Sequence, residues 1–158
     1  PSDSKKECAS DLRDHGIDAT AVDSPEDVVS GANVVVTATT STEPVFPADA
    51  LAEGALVVAV GAYTAEMQEL EPEVFDRAAR VFADVPEEVA AVGDLTATDL
   101  DEDDLLDFST VFTGEAGRES DDEILVVKSV GSAVMDVAAA THVYEKATER
   151  ELGSDQAF

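Results

Sequence analysis

Hydrophobic and polar positions alternate between compact apolar runs and loops of small, hydroxyl-bearing residues. Val34-Val35-Val36 leads into Thr37-Ala38-Thr39-Thr40-Ser41-Thr42, and Leu56-Val57-Val58-Ala59-Val60 leads into Gly61-Ala62-Tyr63-Thr64. Ile124-Leu125-Val126-Val127 leads into Lys128-Ser129-Val130-Gly131-Ser132. Runs that are apolar on both faces suit interior strands of a parallel sheet covered by helices. Ligands of such sheets sit in the crevice beyond the carboxyl ends of the strands. Small and hydroxyl-bearing residues there let a backbone approach a ligand and hydrogen-bond to it. The pattern therefore predicts a nucleotide-type pocket without naming its ligand.

Between the runs, capping and stop signals predict the remaining elements. A helix is expected over residues 2–15, capped by Ser2 or Ser4, with Cys8, Ala9 and Leu12 on its apolar side and Gly16 as its stop. Ile17–Val22 alternates like a short strand. Ser24-Pro25-Glu26 opens a helix ending near Gly31, and Asn33–Ala38 is a strand. Pro47–Glu53 reads as a short helix stopped by Gly54, before a strand at Leu56–Val60. Pro72–Ala79 begins another helix, Arg80–Ala83 a strand, and residues 84–88 cap a helix running toward Gly93. Residues 94–109 are acidic and weakly patterned, predicting surface turns or a short helix. After the strand Ile124–Lys128, a helix from about Ser132 to Leu152 places Val134, Val137, Thr141 and Tyr144 on one side. Strands alternating with helices predict stacked βα units.

Composition changes this picture in two ways. Hydrophobic residues make up 44% and aromatics 5%, so the core is aliphatic. Against 36 acidic residues stand 9 basic ones, a formal net charge of −27. That excludes nucleic-acid binding, which needs a basic face. A folded chain so charged repels itself at ordinary ionic strength. In molar salt the Debye length is only about 3 Å and the repulsion fades. The expectation is a salt-rich cytoplasm, as in a halophile. The single Cys8 fits a reducing interior, and no apolar stretch approaches a membrane span or forms a signal peptide. The chain begins at Pro1 on a segment already helical in pattern, which suggests a truncated chain.

With the loops placed, three segments become recognisable. Residues 32–44, Ala-Asn-Val-Val-Val-Thr-Ala-Thr-Thr-Ser-Thr-Glu-Pro, resemble a stretch of the ornithine cyclodeaminase and mu-crystallin family. Ala59-Val60-Gly61-Ala62 with Glu69-Leu70 resembles its A-V-G-A…E-L segment. Gly117-Arg118, Ser120-Asp121-Asp122-Glu123-Ile124, Lys128-Ser129-Val130-Gly131 and Asp136 resemble its closing signature, so the match runs from about residue 22 to 147.

The resemblance implies an α/β fold, a Rossmann-like doubly wound and mostly parallel sheet. It would lack its first βα unit or units and the N-terminal substrate domain. Residues 1–131 would be a partial NAD(P)-binding domain, and 132–158 a helix packing toward the substrate and dimerisation domain. The glycine fingerprint and most substrate-binding cations would lie upstream of Pro1. The ribose reader would lie there too, or at best within Ser2 to Lys5. The cofactor would be NAD or NADP, the substrate a small amino or imino acid, and the whole protein a homodimer.

Matched residue by residue, Thr39 corresponds to a cofactor-contacting threonine. Val58, Ala59 and Val60 correspond to the segment beneath the nicotinamide. Ser129 corresponds to a nicotinamide-side contact, and Val130 to a residue facing substrate. Tyr63 stands where cyclodeaminases carry an aspartate used in acid–base chemistry. A phenol with a pKa near 10 replaces a carboxylate poorly in that role, whereas hydride transfer needs no such base. Mu-crystallin-like reductases also lack the aspartate. The resemblance thus implies reduction of a C=N bond, such as that of a cyclic ketimine, with Tyr63 as a candidate proton donor. Ornithine cyclodeamination and alanine dehydrogenation are the alternatives, and an inactive fragment or binding module is an alternative of another class.

Several residues have plainer readings. The hydroxyls at 37–42 also suit turns, and Ser129-Val130-Gly131 reads equally as a helix cap. Lys128 reads as a solvated strand tip, Arg118 as a salt-bridge partner of Asp121 or Asp122, and Asp136 as structural. His15 and His142 lack ligand-spaced neighbours, so no metal site is expected. Asp99–Asp104 lacks the glycine and closing glutamate of a calcium loop and reads as a solvated turn.

Overall fold

The computed structural model describes residues 2–154, with the Ser2 side chain outside the description; the proposed Ser2 cap and residues 155–158 of the C-terminal segment fall outside it too. Five strands form one sheet: β1 (Val34–Thr37), β2 (Leu56–Ala59), β3 (Ala78–Ala83), β4 (Leu106–Asp107) and β5 (Ile124–Lys128). Their order is β1-β2-β5-β3-β4, and every pairing is parallel. Helix α2 (Pro25–Val29) leads into β1, and the later strands are joined through α3 (Pro72–Arg77), α4 (Pro86–Val89), α5 (Gly93–Thr96) and α6 (Ser109–Thr113). Helix α1 (Ser2–Asp14) precedes them and α7 (Ala133–Glu149) closes the chain.

Register explains why the two faces differ. Because successive strand residues point to opposite faces, Val35, Val57, Val126 and Val81 form one buried row across four strands. Thr37, Ala59, Lys128 and Ala83 form the next row on the same face, and all four are buried. Val29 of α2, Val74 and Phe75 of α3, Val89 of α4 and Leu95 of α5 join that core. The other face is covered only in part. Phe82 and Leu125 are buried, while Val34 and Val36 on the edge strand are 55% and 63% exposed.

Four expectations need correction. Ile17–Val22 is not a strand; its side chains are exposed or half-buried, and no neighbouring strand offers it a ladder. Cations of α1 take its carbonyls instead: Lys5 Nζ donates to Val22 O (2.6 Å) and Arg13 Nη1 to Ala19 O (2.7 Å). Residues 94–109 do hold a short helix, α5, and an exposed 3-10 turn, but they are more than surface structure, since Asp94, Leu95 and Leu105 are buried and β4 pairs with Phe82 and Ala83. The helix running toward Gly93 ends earlier, at Val89, and Gly93 starts α5; a side chain at 93 would strike the Met67 carbonyl. The segment 47–53 shortens to a 3-10 turn at Ala48–Ala50.

Other local signals act as expected. Ser24 Oγ accepts from Asp27 N (3.1 Å) to cap α2, and Gly16, Gly31 and Gly54 adopt positive φ after their turns. Asp101 and Asp104 form a capping box around an exposed 3-10 turn. Helix α7 is capped by Ser132, and none of its side chains is buried. Among the described residues no helix is long and apolar enough to cross a membrane.

Candidate active site

The strand ends converge on one edge of the sheet, where backbone bonds tie neighbouring loops together. Val60 N donates to Thr37 O (2.9 Å), and Ser129 N donates to Ala59 O (3.0 Å). Three carboxylates complete the stitching, and the sequence singled out none of them as a site residue.

Glu69 is fully buried. Its Oε1 accepts from Thr39 N (2.6 Å), and its Oε2 accepts from Gly61 N (2.8 Å), Ala62 N (3.3 Å) and Thr37 Oγ1 (3.0 Å). Burial pushes its pKa up. The Thr39 and Gly61 amides and the Thr39 and Thr37 side chains outweigh that and hold the carboxyl below the ordinary glutamate range. Gly61 is obligatory here, since a Cβ would strike both the Thr39 backbone and the Glu69 carboxylate.

Asp94, also fully buried, accepts from the amides of Glu69 (2.7 Å) and Leu70 (2.9 Å) through Oδ1. Its Oδ2 lies 3.2 Å from Lys128 Nζ, an ion pair outside hydrogen-bond geometry. Lys128 is thus no solvated tip; it is fully buried and donates to Ala62 O (2.6 Å). Its register position faces the core, and alanines at 59 and 83 on either side leave room for its stem. A buried ammonium needs a counter-charge, and Asp94 provides it.

The third carboxylate, Asp84, sits at the end of β3 and grips the turn after β5. Its Oδ2 accepts from Ser129 Oγ (2.7 Å) and Gly131 N (3.0 Å). Its Oδ1 accepts from Val85 N (3.0 Å) and Val130 N (3.2 Å). Ser129 is therefore not the cap of α7; Ser132 is.

A cleft of about 480 Å³ opens on the less covered face, lined by Val58, Val60, Val127 and Phe82 with Asp84 and Ser129. Of the residues singled out in sequence, Val58, Val60 and Ser129 meet in this cleft. Thr39 lies on the same edge, held beside Gly61 through Glu69. Ala59 turns to the opposite, buried face, and Val130 is half-buried against the core. Tyr63 is 60% exposed and does not line the cleft. Lys5, within the stretch considered for ribose, is engaged with Val22 O and Asp23.

Arg118 donates to the Glu123 carbonyl rather than pairing with Asp121 or Asp122. The ion pairs nearby belong to Arg80, with Glu119 (2.6 Å) and Glu123 (2.9 Å). Among the described residues, no group of three His, Cys, Asp or Glu side chains is placed to hold a metal.

This edge can be compared with known proteins. The profile of the ornithine cyclodeaminase/mu-crystallin family matches residues 2–151. The chain belongs to that family. It is 37% identical over 138 residues to a Δ1-pyrroline-2-carboxylate reductase of Bacillus cereus, covering 80% of this chain and 41% of that protein. The Thermococcus litoralis Δ1-pyrroline-2-carboxylate reductase, solved with NADH and L-proline, is similar with a TM-score of 0.85 and 28% identity. That match covers 96% of this chain and 49% of the other. An archaeal alanine dehydrogenase dimer with bound NAD is similar with a TM-score of 0.80 and 31% identity, covering 97% of this chain and 49% of the other. The chain thus spans about half the length of these relatives, and it carries the family's Rossmann-like parallel sheet.

A nicotinamide ring fits what the cleft offers. Val58, Val60 and Val127 make an apolar floor, and the Ser129 hydroxyl gives one polar anchor at its side. Flat apolar walls with few placed polar groups are what such a ring requires.

Proposed function

We propose that this chain is the cofactor-side part of an NAD(P)-dependent oxidoreductase. It would act by hydride transfer at the Cα carbon of an amino or imino acid, with a cyclic ketimine as the favoured substrate. The observation that carries the reading is the convergence of Val58, Val60 and Ser129 on one cleft that runs along β2 and β5 to their carboxyl ends. These are the positions that match the family's nicotinamide segment. Relatives that reduce a cyclic imine, and one solved with NADH and L-proline, support it.

The bound dinucleotide supplies the hydride. The chain's own contribution is position and shape. The valine floor would hold the nicotinamide ring and exclude water from it. Glu69 locks the Thr39 and Gly61 loops against each other, and Asp84 fixes the turn bearing Ser129 and Val130. Tyr63, exposed on the loop after β2, is the candidate proton donor to the substrate nitrogen. A tyrosine where cyclodeaminases carry aspartate favours reduction over cyclodeamination. Residues 132–158 would pack toward a substrate and dimerisation domain supplied by the rest of the protein. This chain alone would then bind without turning over.

The test is oxidation of NADH or NADPH by the full-length protein, in molar KCl, with Δ1-pyrroline-2-carboxylate. Ornithine and alanine serve as competing substrates. Imine-dependent oxidation is expected. Proline and ammonia from ornithine, or NAD reduction with alanine alone, would assign one of the other activities. No turnover with any of them removes the enzymatic reading.

A further inference from the structure

A serine hydroxyl has one proton to donate and two lone pairs with which to accept. At Ser129 the proton is already committed: Oγ donates to Asp84 Oδ2 at 2.7 Å. One lone pair also meets Gly131 N at 3.2 Å, the longer arm of a bifurcated bond that this N–H shares with Asp84 Oδ2 at 3.0 Å. What remains toward the cleft is a single acceptor site. Asp84 is held in this arrangement by two further donors, the amides of Val85 and Val130, and by the shared Gly131 N–H. A carboxylate can only accept, so turning the Ser129 proton outward would leave two acceptor oxygens, Ser129 Oγ and Asp84 Oδ2, facing each other at 2.7 Å.

We propose that Asp84 is a positioning residue that sets the hydrogen-bonding sense of Ser129. The cleft then takes a ring substituent that offers an N–H, as a carboxamide does, and disfavours one that offers only a carbonyl oxygen. The inference rests on the cofactor reading above and adds which edge of the nicotinamide carboxamide Ser129 meets. Asp84 touches neither the cofactor nor the substrate in this role; it acts through the serine.

The experiment is calorimetric titration of the full-length protein with three ligands. NAD carries the carboxamide, 3-acetylpyridine adenine dinucleotide replaces its amino group with methyl, and ADP-ribose lacks the ring. One net hydrogen bond corresponds to a preference for NAD over the acetyl analogue of roughly threefold to tenfold. In D84N the introduced carboxamide can donate to Ser129, freeing its hydroxyl proton for either ring. The preference should then fall toward unity while ADP-ribose affinity is kept. S129A, which leaves Asp84 and its amide donors in place, should lose the preference in the same way and carries the test if D84N does not fold.

A wild-type preference retained in D84N, or in S129A, overturns the assignment. In S129A, a fall in ADP-ribose affinity parallel to that of NAD also overturns it, because Ser129 would then support the turn rather than meet the ring substituent. If the wild-type protein binds NAD and ADP-ribose but shows no preference between the rings, the Asp84 proposal alone is rejected. If it binds none of the three ligands, the cofactor reading itself fails.

Discussion

Single residues at the strand ends carry most of what distinguishes this edge. Glu69 accepts from three amides and one hydroxyl while wholly buried, so its charge and shape both matter. E69Q keeps the shape but turns one acceptor oxygen into a donor group facing N–H groups. A loss of about 2 kcal/mol in urea unfolding is expected. The pH dependence follows from the lowered pKa. A carboxyl whose folded pKa lies below its unfolded value of about 4.3 adds stability that is fully present above 4.3. That stability is lost as pH falls through the folded pKa. The acid limb of the wild-type profile should therefore be steeper than that of E69Q, and identical slopes would contradict the assignment.

Lys128 gives the second test at this scale. K128M keeps the volume of the stem and strands the Asp94 carboxylate, which should cost about 3 kcal/mol. Adding D94N should recover part of the loss, measured as a coupling in a double-mutant cycle. Strictly additive losses would mean the pair is not coupled. Lys128 was legible in one respect: it shares strand parity with Val126, which faces the core. What hid it was the habit of charged strand ends to be solvated. Asp84, Glu69 and Asp94 were hidden differently, as three among 36 acidic residues, most of which cover the surface.

At the level of elements, the patterned segments became the sheet, and the failures share a cause. Ile17–Val22 has strand-like alternation but no partner, and an isolated strand has nothing to satisfy its backbone. Residues 94–109 lack periodicity, yet they contribute β4 because Phe82 and Ala83 offer a free edge. Helix α7 illustrates the opposite outcome: its start and approximate length were readable, but its apolar residues remain exposed, Val137 by 65% and Tyr144 by 73%. If that helix docks against the remainder of the protein, V137E should leave the thermal midpoint of this chain unchanged. In the full-length protein it should weaken dimerisation, read by analytical ultracentrifugation. Equal destabilisation of both would instead place Val137 in the core of the chain itself.

For the molecule as a whole, charge is the dominant quantity. A net charge of −27 on a domain of 158 residues opposes compaction at low ionic strength. Raising KCl from about 0.1 M to 1 M shortens the Debye length from about 10 Å to about 3 Å. The thermal midpoint should rise steeply over that interval, and a flat response would show that self-repulsion is not limiting. Ion pairs that are buried, such as Lys128 with Asp94, should be little affected by the same titration.

Periodicity, turn residues and short motifs were enough to specify a parallel α/β sheet, the loops at its carboxyl edge and the family, because each is a local property of the chain. Which acids turn inward, which valines floor the cleft and where the Ser129 proton points were decided only by the assembled sheet. Those outcomes depend on strand order and register, which bring residues 24 to 69 positions apart into contact, and no local pattern encodes which partner a buried charge will meet.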